Sequence, residues 1–312
     1  MKVSVCIPVY NGARYLGEAI NSVLNQSFAD FELIVIDDCS TDRSDLIIRS
    51  FNDQRLRYEQ NTVRLGLVEN WNRCLKLSNG EYVCIFHQDD VMAPENLEKK
   101  VRALNAGSQV GLAFSAYEEI DSGGNLIGKF PVDDSDRDRI QNGLKSFEHL
   151  FSGINIIGCP TVVARRECYD KLGGFDSRLP LTCDWEMWLR IALFYQLAYV
   201  DEPLLRYRWH DGNETNRFVN NLDGLKQNFL AKSFVLDKFP QQITREKELR
   251  RKIKQEFAVE AVEQASHQYS AGRHELAKDL LRFSFQLHPG VITKERFIRT
   301  VANFSKDFAL HS

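Results

Sequence analysis

Apolar positions early in the chain follow two rhythms. Residues 3–9 form a short, nearly unbroken apolar run, as a strand covered on both faces does. Asn11-Gly12 breaks it, and Leu16, Ile20, Val23 and Leu24 then recur at helical spacing. Residues 31–36 make a second run, which stops at Asp37-Asp38. Ser40-Thr41-Asp42 supplies helix-start residues, with Leu46, Ile47 and Phe51 continuing a helical face. Residues 56–58 predict a short strand, 67–77 a helix and 82–86 a third buried strand. Pro94 opens the next helix, where proline is tolerated, and Leu97, Val101 and Leu104 line its buried side. The alternation predicts an α/β fold with a mostly parallel central sheet and helices on both faces.

The pattern then loosens. Strands are predicted over 112–120, 161–164 and 199–209, a helix over 185–194, and a polar, acidic, mobile surface loop over 133–141. From about residue 222 the sequence is helical and highly charged, with Ile253, Phe257, Val262 and Ala265 on one face and a turn at 269–273. The predicted organisation is a domain over 1–220, with halves of about 1–110 and 111–220, and a helical appendage over 221–312.

The chemistry gathers where apolar runs end in acids. Tyr82-Val83-Cys84-Ile85-Phe86-His87-Gln88-Asp89-Asp90 carries a buried strand straight into two carboxylates. In open α/β sheets ligands bind outside the carboxyl ends of strands. Acids there call for a counter-ion, such as a divalent cation carrying phosphates. Asp37-Asp38 repeats the arrangement, although acids before Ser40 and Thr41 also suit a helix cap. The 312 residues, 43% hydrophobic and 27% charged with a net charge of -3, describe a globular chain without the basic excess of a nucleic-acid binder. No run approaches the roughly 20 apolar residues of a membrane span, and the start reads as a first strand rather than a signal peptide. Seven scattered cysteines without a Cys-x-x-Cys pair predict reduced core thiols in a cytoplasmic protein.

Taken in order, these segments resemble glycosyltransferase family 2, the large inverting family with the GT-A fold. Val3 to Asn11 resembles its opening strand, Val35-Ile36-Asp37-Asp38-Cys39-Ser40-Thr41-Asp42 its second strand and acidic turn, and the Gly66-Leu67 and Asn70 segment the part that follows. His87-Gln88-Asp89 falls at the family's metal-binding Asp-x-Asp, and Asp184-Trp185-Glu186-Met187-Trp188-Leu189-Arg190 is similar to the segment holding its catalytic base. The resemblance covers about residues 1 to 215.

It implies transfer of a sugar from a nucleotide-diphosphate sugar, a UDP-sugar first among them. The acceptor is a hydroxyl of a glycan or lipid-linked molecule, in bacterial surface polysaccharide synthesis. Pro8, Val9, Tyr10, Asn11, Asp37, Asp38, Arg64, Gln88 and Asp89 would bind the donor. Asp89 would hold Mn²⁺ or Mg²⁺ with His210 and, more weakly, His87. Because His87 stands where the family has an acid, and imidazole is a poor Mg²⁺ ligand, Mn²⁺ is the better fit. Asp184 would be the general base, although its place also suits a helix cap, with Gly158, Trp185 and Glu186 on the acceptor side. Two other readings stay open: a nucleotidyltransferase making nucleotide sugars, and a non-catalytic nucleotide- or carbohydrate-binding protein. For the C-terminal helices, a homodimer contact and a peripheral membrane contact through the basic residues 245–254 are both open, beside a plain solvated face.

Overall fold

A computed structural model describes residues 1–130, 139–218 and 221–290. Its elements run β1 (Val3–Val9), α1 (Leu16–Leu24), β2 (Phe31–Asp37), α2 (Ser44–Arg49), β3 (Leu56–Gln60), α3 (Leu67–Leu77), β4 (Tyr82–Ile85), β5 (Val91–Met92), α4 (Asn96–Asn105), β6 (Val110–Ile120) and β7 (Leu126–Phe130). Then come β8 (Arg139–Gln141), α5 (Gly143–Ser152), a 3-10 turn (Cys159–Thr161), β9 (Val163–Arg165), α6 (Arg166–Leu172), α7 (Cys183–Phe194) and β10 (Gln196–Arg208). The helices α8 (Leu222–Lys238), α9 (Glu246–Ser270) and α10 (His274–Leu287) follow.

The strands form one sheet in the order β3-β2-β1-β4-β9-β6-β10-β5, with β7 on β6 and β8 on β10. Pairing is parallel through β3-β2-β1-β4 and again between β6 and β10. The antiparallel members β5, β7, β8 and β9 are short. Every residue of β2 and β4 is buried, so the sheet centre is covered on both faces, as continuous apolar runs require. β1, β2 and β4 end side by side, and this common edge carries Asp37, Asp38 and the His87–Asp90 turn.

Two details differ from the sequence reading. The strand expected over 161–164 is split, because Pro160 sits in the 3-10 turn and strand pairing begins only at Val163. Of the loop expected over 133–141, residues 133–138 lie outside the described residues, and Arg139–Gln141 instead pair with β10. The cysteines are all free, six of them buried.

The chain divides into two compact units, Met1–Asp211 and a second starting at Gly212. In the second, Phe229, Phe257 and Phe283 join α8, α9 and α10 through ring contacts at 5.6 and 6.2 Å. Within the basic stretch, Arg245 pairs with Glu248, Arg250 with Glu246 and Asp237, and Lys252 with Glu256. That pairing matches a solvated helix face better than a lipid-seeking one.

Lys100 is an anomaly in the core of the first unit. It is wholly buried on α4, between Leu97, Val101 and Leu104, and its Nζ has no hydrogen-bond partner. Burial pulls its pKa down to about 7, against a smaller upward pull from Cys84. Between pH 7 and about 10 the unfolded chain therefore binds a proton that the folded one does not, so this group makes stability rise with pH across that window. Lys100→Met removes the penalty. Thermal melts should show the variant several degrees more stable at pH 6, with the gain shrinking towards pH 10.

Candidate active site

The loops after β1 and β2 are tied to each other. Asn11 and Cys39 take left-handed backbone conformations, φ 50 and 61. The N–H groups of Asn11, Gly12 and Ala13 donate to Ser40 Oγ, Ser44 Oγ and Asp42 Oδ2, at 2.9, 3.0 and 2.9 Å, and Asn11 Oδ1 accepts from Thr41 N. The turn that would cradle phosphates in a nucleotidyltransferase has therefore spent its donors on protein.

The two acids after β2 look inward. Asp37 is fully buried and accepts from Ser40 N, Tyr58 Oη and Gln60 Nε2. Asp38, 3% exposed, accepts from Asn61 Nδ2, Leu65 N and Gly66 N at 2.6, 2.7 and 2.8 Å. Asp37 braces the sheet edge, and Asp38 ties down the 61–66 loop, whose buried amides need an acceptor. Val9 is also buried, and its carbonyl is taken by Asp38 N. The loop held by Asp38 presents Arg64, whose guanidinium lies 3.8 Å from the centroid of the half-buried Tyr10 ring. Gln88 fixes Tyr10 by two hydrogen bonds, accepting from its N–H at 3.0 Å and donating to its carbonyl at 3.2 Å. A side chain at Gly12 would run into that carboxamide, 2.4 Å from Oε1. Pro8, at the end of β1, is partly exposed.

Beyond β4, His87, Asp89 and Asp90 place one ligand atom each within 4.8 Å of one another. His210, just past β10, brings Nε2 to 2.9 Å from Asp89 Oδ2. Arg208 holds the turn: its N–H donates to Asp90 Oδ1, its Nε to the Asp89 carbonyl, and its Nη2 to Glu18 of α1. Its guanidinium also lies 4.6 Å from the Tyr15 ring centroid. His87 Nε2 and Asp90 Oδ2 are buried without a hydrogen-bond partner, and such atoms ask for a ligand. Burial lowers the His87 pKa and, with the charge of Asp89, raises that of Asp90. The mixed nitrogen and oxygen donors of His87, Asp89 and Asp90 fit a divalent cation.

Asp184 opens α7. It accepts from Trp185 N at 2.6 Å and from Asn155 Nδ2 at 3.2 Å, and Asn155 Oδ1 accepts from Ile157 N. Burial lifts the Asp184 pKa to about 7, against the pull of those two donors. Burial first, then the charge of Asp184, pushes up the thiol of the buried Cys159. Gly158 precedes it, and its carbonyl accepts from Thr161. Trp185 and Glu186, expected on the acceptor side, are both buried. The Trp185 indole is buried and donates to the Leu150 carbonyl. Glu186 is buried in an ion pair with Arg190 at 2.7 Å, and Arg190 in turn donates to the carbonyls of Leu172, Gly173 and Gly174.

Sequence reasoning missed Asn155, Arg208 and the role of Asp90. Arg208 and Asp90 stand beside residues singled out by motif, so adjacency was a usable signal. Asn155 had none. Asn155→Ala removes a donor to the ionised carboxylate, so the acidic limb of a pH–rate profile should move up by about half a unit to one unit. A titration of initial rates checks this.

The model of the family described as "Glycosyl transferase family 2" matches residues 4–129. An uncharacterized glycosyltransferase of Rickettsia typhi is 30% identical over 222 residues, covering 71% of this chain and 68% of that one. One from Haemophilus influenzae is 31% identical over 237 residues, covering 74% and 71%. Among solved structures, the S. aureus TarS 1-349 complex with UDP-GlcNAc superposes with TM-score 0.63 at 18% identity, covering 92% of both chains. The chain spans 43% of a longer TarS structure. A mannosyltransferase from Pyrobaculum calidifontis in complex with GDP-Man and Mn²⁺ gives TM-score 0.56 at 19% identity, covering 99% of this chain and 80% of that one. These likenesses place the fold in the GT-A type. With identity of 30% or more across over two thirds of these sequence relatives, the chain belongs to glycosyltransferase family 2.

Proposed function

We propose that the enzyme transfers a sugar, with inversion, from a nucleotide-diphosphate sugar to the hydroxyl of a glycan or glycan-bearing lipid. One observation carries this reading. Donor atoms of His87, Asp89 and Asp90 gather within 4.8 Å of one another at the edge of the sheet, where a divalent cation would meet a diphosphate. Asp184 takes the acceptor proton as the acceptor oxygen bonds the anomeric carbon. The bond from that carbon to the diphosphate oxygen breaks, and its electron pair leaves with the diphosphate. Asp89, His210, His87 and Asp90 would hold a divalent cation, which supplies Lewis-acid stabilisation of charge on the leaving group. Needing no protein acid for the leaving group, the site uses one carboxylate where a glycosidase uses two.

The Arg64–Tyr10 pair is the proposed seat of the base, since a planar cation and a ring both offer flat faces. Arg64→Ala should weaken nucleotide binding about tenfold with no change in melting temperature, because Arg64 is exposed. UDP and GDP donors come first for testing, since two fold relatives are complexes with UDP-GlcNAc and GDP-Man. A thermal-shift screen of nucleotide sugars with Mn²⁺ and Mg²⁺ tests the reading. A selective, metal-dependent shift is the predicted result, and no response to any nucleotide overturns it. The nucleotidyltransferase reading loses ground because the Asn11, Gly12 and Ala13 amides of the β1–α1 turn already donate to protein oxygens.

A further inference from the structure

One face of β6, β7 and β10 carries a row of half-buried rings that the donor side does not use. Tyr117 stacks on Phe130, centroids 5.0 Å apart and 11° from parallel. Tyr117 also packs 6.0 Å from Tyr207, which lies 5.3 Å from Trp209 and 6.5 Å from His87. Strand register explains the row. Tyr117 faces Phe130 and Glu119 faces Gly128 across β6–β7, while Glu119 faces Tyr207 across β6–β10. Residues two apart share a face, so Tyr117 and Glu119 stand together, as do Tyr207 and Trp209.

A carboxylate sits within the rings. Trp209 Nε1 donates to Glu119 Oε1 at 3.0 Å. Gly128 leaves room for the other oxygen, since a Cβ there would come within 2.7 Å of Glu119 Oε2. Burial, then the charges of Glu119 and Asp90, raise the Tyr117 pKa, so its hydroxyl keeps its proton and can donate. The row reaches both ends of the chemistry. It touches His87 of the metal-ligating turn, and a Cβ at Gly158, three residues from Asn155, would lie 3.8 Å from Tyr117 Cε1.

We propose that this row is the acceptor platform and that it takes a pyranose ring, so that the acceptor is a saccharide recognised by a sugar unit. The proposal rests on the reading of Asp184 as the base. A sugar presents an apolar C–H face, which suits Tyr117 and Trp209, and an equatorial rim of hydroxyls, which suits the carboxylate of Glu119 and the phenol of Tyr117. A bare lipid chain would have to bury that carboxylate with the Trp209 indole as its hydrogen-bond donor and its charge uncompensated. A polyanionic acceptor such as a polyol phosphate would meet the Glu119 carboxylate on this face.

The test uses the full chain with Mn²⁺ and UDP on an array of neutral and N-acetylated oligosaccharides. A glycerol-phosphate polymer and phosphatidylglycerol vesicles form the other arms. Retention of one or more oligosaccharides is expected, weakened about tenfold in Trp209→Ala and several-fold in Glu119→Gln, with UDP–Mn²⁺ binding by calorimetry unchanged in both. Glu119→Gln keeps an acceptor for the Trp209 indole, so it folds even if Trp209→Ala does not. Retention only on the polymer or the vesicles overturns the proposal, as does oligosaccharide retention indifferent to both substitutions. Loss of UDP binding in the wild-type protein with sugar retention intact would count against the donor reading and leave the platform standing.

Discussion

Asp184→Asn should lower kcat for transfer by about 10²- to 10⁴-fold, the usual contribution of a positioned general base, with nucleotide affinity within twofold of wild type. Among the described residues the carboxylate accepts from Trp185 N and Asn155 Nδ2, neither of which is proposed to hold the nucleotide. In the wild-type enzyme the rate should rise about tenfold per pH unit up to the Asp184 pKa of about 7 and then level off. The stability effect has the opposite sense. Because the folded state keeps this proton well above the ordinary aspartate range, wild-type stability falls as pH rises from about 4 to 7. Asparagine carries no charge to bury, so the variant should melt no lower than wild type at pH 7. A dead but equally stable variant separates lost chemistry from lost fold. A variant retaining full activity would remove Asp184 from the mechanism.

Asp89→Ala should weaken Mn²⁺ binding about a hundredfold or more, since even outer partners of metal ligands contribute 10- to 100-fold. The substitution takes away one ligand and the carboxylate that orients His210. Two measurements apply: electron paramagnetic resonance of free against bound Mn²⁺, and calorimetry of UDP with and without the ion. The variant should bind UDP weakly and indifferently to metal. Its fold should survive, because the Arg208 clamp grips the Asp89 carbonyl and the Asp90 carboxylate rather than the Asp89 side chain. Metal binding equal to wild type would place the ion elsewhere.

How much of this was legible depended on whether the signal was local. β1, β2 and β4 were readable because each is a continuous apolar run that stops at polar or acidic residues. β5, β7 and β8 were not recognised as such, and β9 was placed two residues early. They are two to five residues long, and β7 leaves Leu126 and Ile127 more than half exposed. Their existence depends on a neighbour rather than on their own pattern. The site divides in the same way. Asp89 and Asp184 stood out by motif, while the contacts that give them meaning, His210 to Asp89 across 121 positions and Asn155 to Asp184 across 29, exist only once the chain is folded. Trp185 and Glu186 could not be read for direction, because α7 is buried on nearly every side from Cys183 to Ala192. Helical spacing there marks no outward face, so an aromatic and an acid beside the base looked available when both were spent on packing and on Arg190. Asp37 and Asp38 show a related limit. An acid at a strand end can hold a ligand, a loop or both, and the hold of Asp38 on Asn61, Leu65 and Gly66 exists only in the folded chain.

The central claim is that the His87–Asp90 turn with His210 and the Asp184 carboxylate serve one reaction on a metal-bound nucleotide. Calorimetry of UDP and GDP binding to the wild-type chain, with and without Mn²⁺, tests it most directly. The account predicts saturable binding of at least one of the two that tightens at least tenfold with Mn²⁺. Binding of neither nucleotide, or binding unchanged by the ion, would contradict it.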